Sequence, residues 1–237
     1  MPPPRSLTVV LLMFDEESTV AAILDEHVAF LEGAGLAWEI VVVDDGSRDE
    51  GPAIVARRAA SDPRIRLVRH DRNLGMGAGL GSGIRAATKS HFVMNAMDGQ
   101  IPAAEIGTLL PLLDRADIAL SIYAERRRSR GLFRNLVSQC LRAYLRAVAG
   151  IRFELEGLYV FPTATARELE PRIRSTTFFY SFELVQRAVE RGLTVARTTI
   201  RVKPRAAGRS KVLSPARVAR VAGDALAYRV SRHGERP

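Results

Sequence analysis

Apolar and polar positions follow two rhythms along this chain. Leu7–Met13 is a nearly continuous apolar run, as expected of a strand buried on both faces. Glu39–Val43 is a second buried strand of this kind, and Ile65–His70 and His91–Asn95 read as a third and a fourth strand. Helical spacing lies between the runs. One helix is predicted from Ser18 as N-cap to about Leu31, a second over Ile54–Ala60, and a third near Ile84–Thr88 after the glycine-rich stretch Asn73–Gly83. Pro102 is expected to open another. Strands alternating with helices imply an α/β fold with a mostly parallel sheet and right-handed crossovers. Ligands of such sheets bind beyond the carboxyl ends of the strands, where Asp15, Asp44, Asp45, Asp98 and Gln100 fall.

The second half reads differently. Ile118–Tyr123 is a predicted strand. Eight arginines follow (126, 127, 128, 130, 134, 142, 146 and 152), with no acid between the first of them and Glu154. Leu132, Phe133, Leu136, Val137, Cys140, Leu141, Tyr144, Leu145 and Val148 recur among them at helical spacing. That pattern predicts an amphipathic basic helix over about 126–150. Leu158–Phe161 and Val195–Val202 read as strands. Phe182–Glu190 reads as a helix closed by Gly192, and Pro215 to about Val230 as a basic helix. The organisation predicted is one domain over 1–213 and a C-terminal helix and tail over 214–237.

Composition narrows the function classes. A chain of 237 residues with 47% hydrophobic content can bury a core. The net charge of +9 points to an anionic partner: nucleic acid, a phosphorylated substrate or a membrane surface. Nucleic acid is disfavoured, because the arginines do not interleave with exposed aromatics and no recognised nucleic-acid motif is present. Cys140 is the single cysteine, which excludes an internal disulfide and a cysteine metal site, and a cytoplasmic location is the simpler expectation. Leu7–Phe14 is too short to span a bilayer.

Three segments carry candidate chemistry. Val41–Asp49 delivers two carboxylates, Asp44 and Asp45, from a buried strand into a tight turn. There they can accept hydrogen bonds from a base or a ribose, although Asp-Gly-Ser equally suits a turn with a helix cap. Met97-Asp98-Gly99-Gln100 follows another strand. It offers a carboxylate and an amide oxygen, the hard donors a divalent cation wants, although an isolated acid in such a turn is more often simply solvated. Arg205–Lys211 is a glycine-containing basic loop able to hold phosphates, or simply solvated.

In order and spacing these segments resemble the GT-A glycosyltransferases of family 2, most closely the dolichyl-phosphate mannose synthase and polyprenyl-phosphate glycosyltransferase branch. Leu12–Glu17 sits where that family has Pro-x-Tyr-Asn-Glu-Glu. Asp44-Asp45-Gly46-Ser47-x-Asp49 matches its DDGSxD, Arg72-Asn73-Leu74-Gly75-x-Gly77 its RNxGxG, and Ala96–Gln100 its DADGQ. Ser181–Leu184 and Arg205–Lys211 match late elements.

The resemblance implies a GT-A, Rossmann-like sheet with a helical, basic acceptor side. It implies transfer from a nucleotide diphosphate sugar to a polyprenyl phosphate, with inversion. Phe14, Asp15, Glu16, Asp44, Asp45 and Asn73 would serve the nucleotide. Asp98 and Gln100 would hold Mg²⁺ or Mn²⁺ on the diphosphate. Arg134 would meet the acceptor phosphate, and Arg205 and Lys211 would support the leaving group together with the Asp98 metal. The amphipathic helix would rest peripherally on the inner face of a membrane, and a homodimer is left open. Four positions depart from the family: Leu12 for its Pro, Asp15 for its Asn, Ala96 for the first Asp of DxD, and Ile122 for an arginine. They motivate two alternatives, a relative that binds nucleotide or a partner without turnover, and a transferase with a soluble small-molecule acceptor. A nucleotidyltransferase is disfavoured, since Phe14-Asp15-Glu16-Glu17 stands where that class needs a glycine-rich basic loop.

Overall fold

The computed structural model describes residues 6–124, 132–203 and 215–234, with side chains throughout except at 132–138, 215–217 and 233–234. Seven strands form one sheet: β1 (Ser6–Met13), β2 (Ala37–Asp44), β3 (Ile65–Arg69), β4 (His91–Ala96), β5 (Ile118–Tyr123), β6 (Tyr159–Pro162) and β7 (Val195–Ile200). Their order is β3-β2-β1-β4-β6-β5-β7. β6 runs antiparallel to β4 and β5, and the other pairings are parallel. The α/β, mostly parallel expectation therefore holds.

Eight helices flank the sheet among the described residues: α1 (Glu17–Gly33), α2 (Gly51–Ser61), α3 (Met76–Ala86), α4 (Ile106–Leu109), α5 (Leu132–Ala149), α6 (Thr163–Leu169), α7 (Phe179–Glu190) and α8 (Pro215–Gly234). Alternate residues of the central strands feed opposite cores. Val9, Leu11, Ile40 and Val42 pack with Val20 and Leu24 of α1 and Val55 of α2. Val10, Val41 and Val43 pack with Leu80 and Ile84 of α3 and Leu184 of α7. Each such buried aliphatic contributes about 1.5–3 kcal/mol, which is why these runs carry so little polarity. The exception in β1 is Thr8, whose hydroxyl donates to Glu39 Oε1 at 2.7 Å. Burial pushes the Glu39 carboxyl up, but hydrogen bonds from Thr8 and Thr88 and the Arg66 charge outweigh it and leave it below the usual glutamate range. A third cluster joins Leu145 and Ala149 of α5, Phe179 of α7, and Val221, Ala225 and Tyr228 of α8.

Several predicted boundaries move. α1 starts at Glu17 with Glu16 as N-cap, so Ser18 is not the cap. The reason is tertiary: Asp49, from the turn after β2, accepts the Glu17 N–H at 2.8 Å and the Gly51 N–H at 3.1 Å. One carboxylate thus caps α1 and α2, and α2 begins three residues before the predicted Ile54. The largest difference is α3, which occupies the glycine-rich stretch and ends at Ala86, where Ile84–Thr88 was predicted. Its glycines are contact surfaces. A Cβ on Gly77 would lie 2.6 Å from Ser175 O, and one on Gly83 would lie 2.3 Å from Val10 Cγ1. The helix lies against its neighbours because those side chains are missing. α6 was not predicted, and the segment after Pro102 is two short 3₁₀ turns around the four-residue α4.

Candidate functional site

The strand order reverses between β1 and β4, so a crevice opens at their carboxyl ends. Backbone bonds align three strand ends there: Asp45 N–H donates to Met13 O and Met97 N–H to Leu12 O, both at 2.9 Å. Asp15, Asp44 and Asp98 thus come to one edge of the sheet from three distant parts of the chain.

On the β2 side the carboxylates are interlocked. Asp44 is fully buried. Its Oδ1 accepts the Ser47 N–H at 2.9 Å. Its Oδ2 lies 3.1 Å from Arg69 Nε, a charge contact whose angle does not make a hydrogen bond. Ser47 Oγ accepts the Asp15 N–H, and Asp15 Oδ1 accepts the Arg48 N–H, each at 2.9 Å. Asp15 has φ +53°, a left-handed backbone that Asp and Asn tolerate best among non-glycine residues, so Asp in place of the family's Asn keeps this turn. Gly46 has φ +79°, and a Cβ on it would lie 2.5 Å from the Arg72 carbonyl carbon, so the DDG turn needs its glycine. Phe14, Asp15 and Asn73 are exposed at the rim, and Glu16 is half-buried.

Asp45 is engaged differently. Oδ1 accepts the Leu74 N–H and Oδ2 the Gly75 N–H, both at 2.8 Å. His70 Nδ1 lies 2.8 Å from Oδ1, and its Nε2 reaches Ser82 Oγ at 2.9 Å. Asp45 thereby pins the RNxGxG segment, which is the entry to α3. Gly77 N–H continues the chain of contacts to Thr176 O at 3.0 Å, and Ser175 and Thr177 both donate to Asp224 of α8.

At the end of β4, Gly99 has φ +67° and turns the chain so that Gln100 N–H donates to Asp98 Oδ1 at 3.1 Å. Thr19 of α1 holds this turn through Met97 O at 2.8 Å, and Lys203 N–H holds it through Gln100 O at 2.8 Å. Asn95 turns to the opposite face, as its strand position predicts. Its Nδ2 lies 3.1 Å from Ile101 O and 3.2 Å from His27 Nε2. His27 Nδ1 meets Ile23 O at 2.8 Å, so Nδ1 carries the proton and Nε2 accepts. Burial holds the His27 imidazole below its usual value. Asn95 is therefore committed to the core and does not replace the acid missing at Ala96.

Behind Asp98 lies a cavity of about 670 Å³ between the strand ends, α5 and α7. Asp98, Gln100 and Ala96 line one side, Arg142 and Arg146 another, and Leu145, Phe178 and Phe182 the apolar wall. Tyr123, Glu154 and Glu156 also face it and were not singled out in the sequence. Glu156 is placed rigidly. Its N–H donates to Ser121 O at 2.8 Å, its carbonyl accepts from Ser121 Oγ, and its Oε2 accepts the Tyr123 N–H at 3.2 Å. The signal available was Glu154-Leu155-Glu156-Gly157, the first acids after the run of arginines, with a glycine at φ +80°. The Arg134 backbone is in α5, but its side chain lies outside the described residues, as do Arg205 and Lys211. Among the described residues no group of three or more His, Cys, Asp or Glu is arranged to hold a metal, and no helix is long and apolar enough to cross a membrane.

Comparison with known proteins agrees with this geometry. The undecaprenyl-phosphate 4-deoxy-4-formamido-L-arabinose transferase of Pectobacterium atrosepticum is 30% identical over 149 residues, 62% of this chain and 45% of that protein. A dolichyl-phosphate beta-glucosyltransferase of Trichomonas vaginalis is 35% identical over 97 residues, 39% of this chain and 29% of that protein. The chain thus spans less than half the length of these relatives. Among solved structures, glucosyl-3-phosphoglycerate synthase of Mycobacterium tuberculosis with uridine diphosphate superposes with a TM-score of 0.72 at 22% identity, over 95% of this chain and 80% of that one. The same enzyme with Mn²⁺, UDP-glucose and phosphoglyceric acid gives the same values. The family described as Glycosyl transferase family 2 matches residues 8–187, from β1 into α7, and so spans every strand end that builds the crevice: the chain belongs to that family.

Proposed function

We propose that the chain transfers a sugar, with inversion, from a nucleotide diphosphate sugar to a polyprenyl phosphate. The observation that carries this reading is the meeting of Asp15 and Asp44 with Asp98 and Gln100 across the β1–β4 crevice, with the cavity directly behind Asp98. Asp15 and Glu16 face the nucleoside, the buried Asp44 supports that turn from beneath through Ser47, Phe14 offers its ring to the base, and Asn73 borders the same rim. Asp45 serves the donor by fixing the Asn73–Gly75 loop.

The turn at Asp98 fits a divalent cation carried by its nucleotide. One carboxylate and one amide oxygen are hard donors, and Mg²⁺ and Mn²⁺ bind by one or two carboxylates plus substrate phosphates rather than in an all-protein cage. When bound, the metal offsets charge on the departing diphosphate. Arg205 and Lys211 add positive charge to the same group. The nucleophile is a phosphate oxygen, already an anion, so proton removal is not required. Arg142, on the cavity wall, meets that anion, and Arg134, by its place in the family pattern, is assigned to the same phosphate. The relatives named for polyprenyl phosphate acceptors support this choice. Peripheral contact with a membrane is supported by α8, which exposes Leu226 and Val230 four residues apart beside Arg229.

The test is transfer from UDP-, GDP-, TDP- and CDP-sugars to a short-chain polyprenyl phosphate with Mn²⁺. Transfer by the wild type that disappears in Asp98→Ala supports the proposal. Nucleotide binding without transfer from any donor would leave Ala96 as the mark of a member that binds without turnover.

A further inference from the structure

A second, separate cavity of about 1090 Å³ opens where the C-terminal ends of α5 and α8 meet the end of α7 and the β5–β7 edge of the sheet. Its wall carries four guanidinium groups, Arg146, Arg152, Arg197 and Arg232, against one carboxylate, Glu154. Two of the cations are matched: Arg197 lies 3.4 Å from Glu154, and Arg232 lies 2.9 Å from Glu190. Arg146 and Arg152 have no acidic partner among the described residues. The floor is apolar, with Leu120, Phe153, Val189, Leu193 and Val195. Val189 is 37% exposed, large for a valine on a helix that otherwise packs inward.

The backbone is built to let this happen. Gly150 ends α5 with φ +73°, and the position a Cβ would take is 3.4 Å from Arg232 Nη1. The left-handed backbone there favours glycine, and the turn brings the chain alongside the Arg232 guanidinium. An excess of guanidinium groups above an apolar floor matches a ligand with an anionic head and an apolar body. Arg146, Phe153 and Glu154 line both this cavity and the one behind Asp98, so residues 150–154 form the partition between them.

We propose that this cavity is a second anion site, distinct from the donor crevice, which takes a phosphate-bearing amphiphile. The phosphate sits on Arg146 and Arg152, and the apolar part lies over Phe153, Val189 and Leu193. The assignment rests on charge and shape alone and holds whichever sugar or acceptor the crevice takes.

Calorimetric titration of the full chain with dihexanoyl phosphatidic acid, below its micellar concentration, tests it. Inorganic phosphate and dihexanoyl phosphatidylcholine are the comparison ligands. Phosphatidic acid should bind about tenfold more tightly than either. Arg152→Glu should weaken it by about tenfold, and Val189→Glu severalfold. Both substitutions are at exposed positions outside the donor crevice, so UDP-sugar binding serves as the check that the variants are folded. Equal affinity for phosphate and phosphatidic acid would overturn the amphiphile assignment. No binding, or binding unchanged in Arg152→Glu, would overturn the site.

Discussion

The two sides of the β1–β4 crevice are built on opposite plans. On the β2 side, a chain of hydrogen bonds links Asp44, Ser47 and Asp15, while Asp45 holds the glycine-rich loop and Asp49 caps two helices. Every carboxylate of the DDGSxD motif has internal work, so its geometry is set before any ligand arrives. On the β4 side, one glycine turn presents Asp98 and Gln100 to a large cavity, and Ala96 stands where the family motif has an acid. Under the proposed function, the first side would receive the nucleoside in a preorganised turn, and the second would rely on the donor's diphosphate and metal to complete its coordination. Preorganisation is a property of strand-end turns with matched donors and acceptors, whereas metal affinity depends on how many hard oxygens converge.

Four experiments break or sharpen this contrast. The largest effect is expected at Asp98. Asp98→Ala should lower kcat by about 10³-fold, the scale of losing a main charge-stabilising contact, with little change in nucleoside affinity. Asp44→Ala should do the reverse and raise KM for the donor. Steady-state kinetics of both variants measures the split, and equal effects on kcat and KM in both would erase the contrast. Next is stability. Asp49→Ala removes the cap of both α1 and α2 and should cost about 2 kcal/mol, about 1 for each helix, read as a shift in urea midpoint at constant m.

Ala96→Asp comes third. A second carboxylate at the end of β4 should lower the Mn²⁺ concentration for half-maximal activity by about tenfold, or about 1.4 kcal/mol, with the nucleoside side untouched. An unchanged metal requirement would show that Ala96 is not what weakens this side. The smallest effect is pH dependence beneath Asp98. His27 is buried with its proton on Nδ1, and burial depresses its pKa. The unfolded chain therefore binds more protons below about pH 6.5, so stability is full above that value and falls as pH drops toward the folded pKa. The loss per pH unit is at most about 1.4 kcal/mol for one histidine. His91, also depressed by burial, adds in the same direction. Urea unfolding at pH 7.5 and 5.5 should show it, and His27→Gln should reduce it.

Much of the fold was legible because the buried strands announce themselves. Val41, Val42 and Val43 are apolar in succession because both faces of β2 are covered, and no exposed strand tolerates that. The carboxylates at the strand ends were legible for the same reason, since an acid directly after a buried run must lie at its mouth. The start of α3 was not legible. Its glycines lower helix propensity, and only the nearness of Thr176 and Val10 shows why they are there. The cap of α1 was misplaced because its partner, Asp49, is 32 residues away in sequence. Glu156 and Tyr123 were missed because their place in the cavity depends on β5 lying beside β6, a pairing that leaves no local pattern.

By itself the sequence determined the class of fold, the order of strands and helices through the first hundred residues, and the family that those motifs mark. Local periodicity and turn chemistry are short-range properties, and a single chain carries them in full. The tertiary structure alone decided the division of labour among the aspartates. Asp44 and Asp45 are neighbours in an identical motif context, yet one is buried against Ser47 and Arg69 and the other pins Leu74 and Gly75. Successive residues at a strand end point to opposite faces, and what each carboxylate meets depends on which distant segment packs on that face.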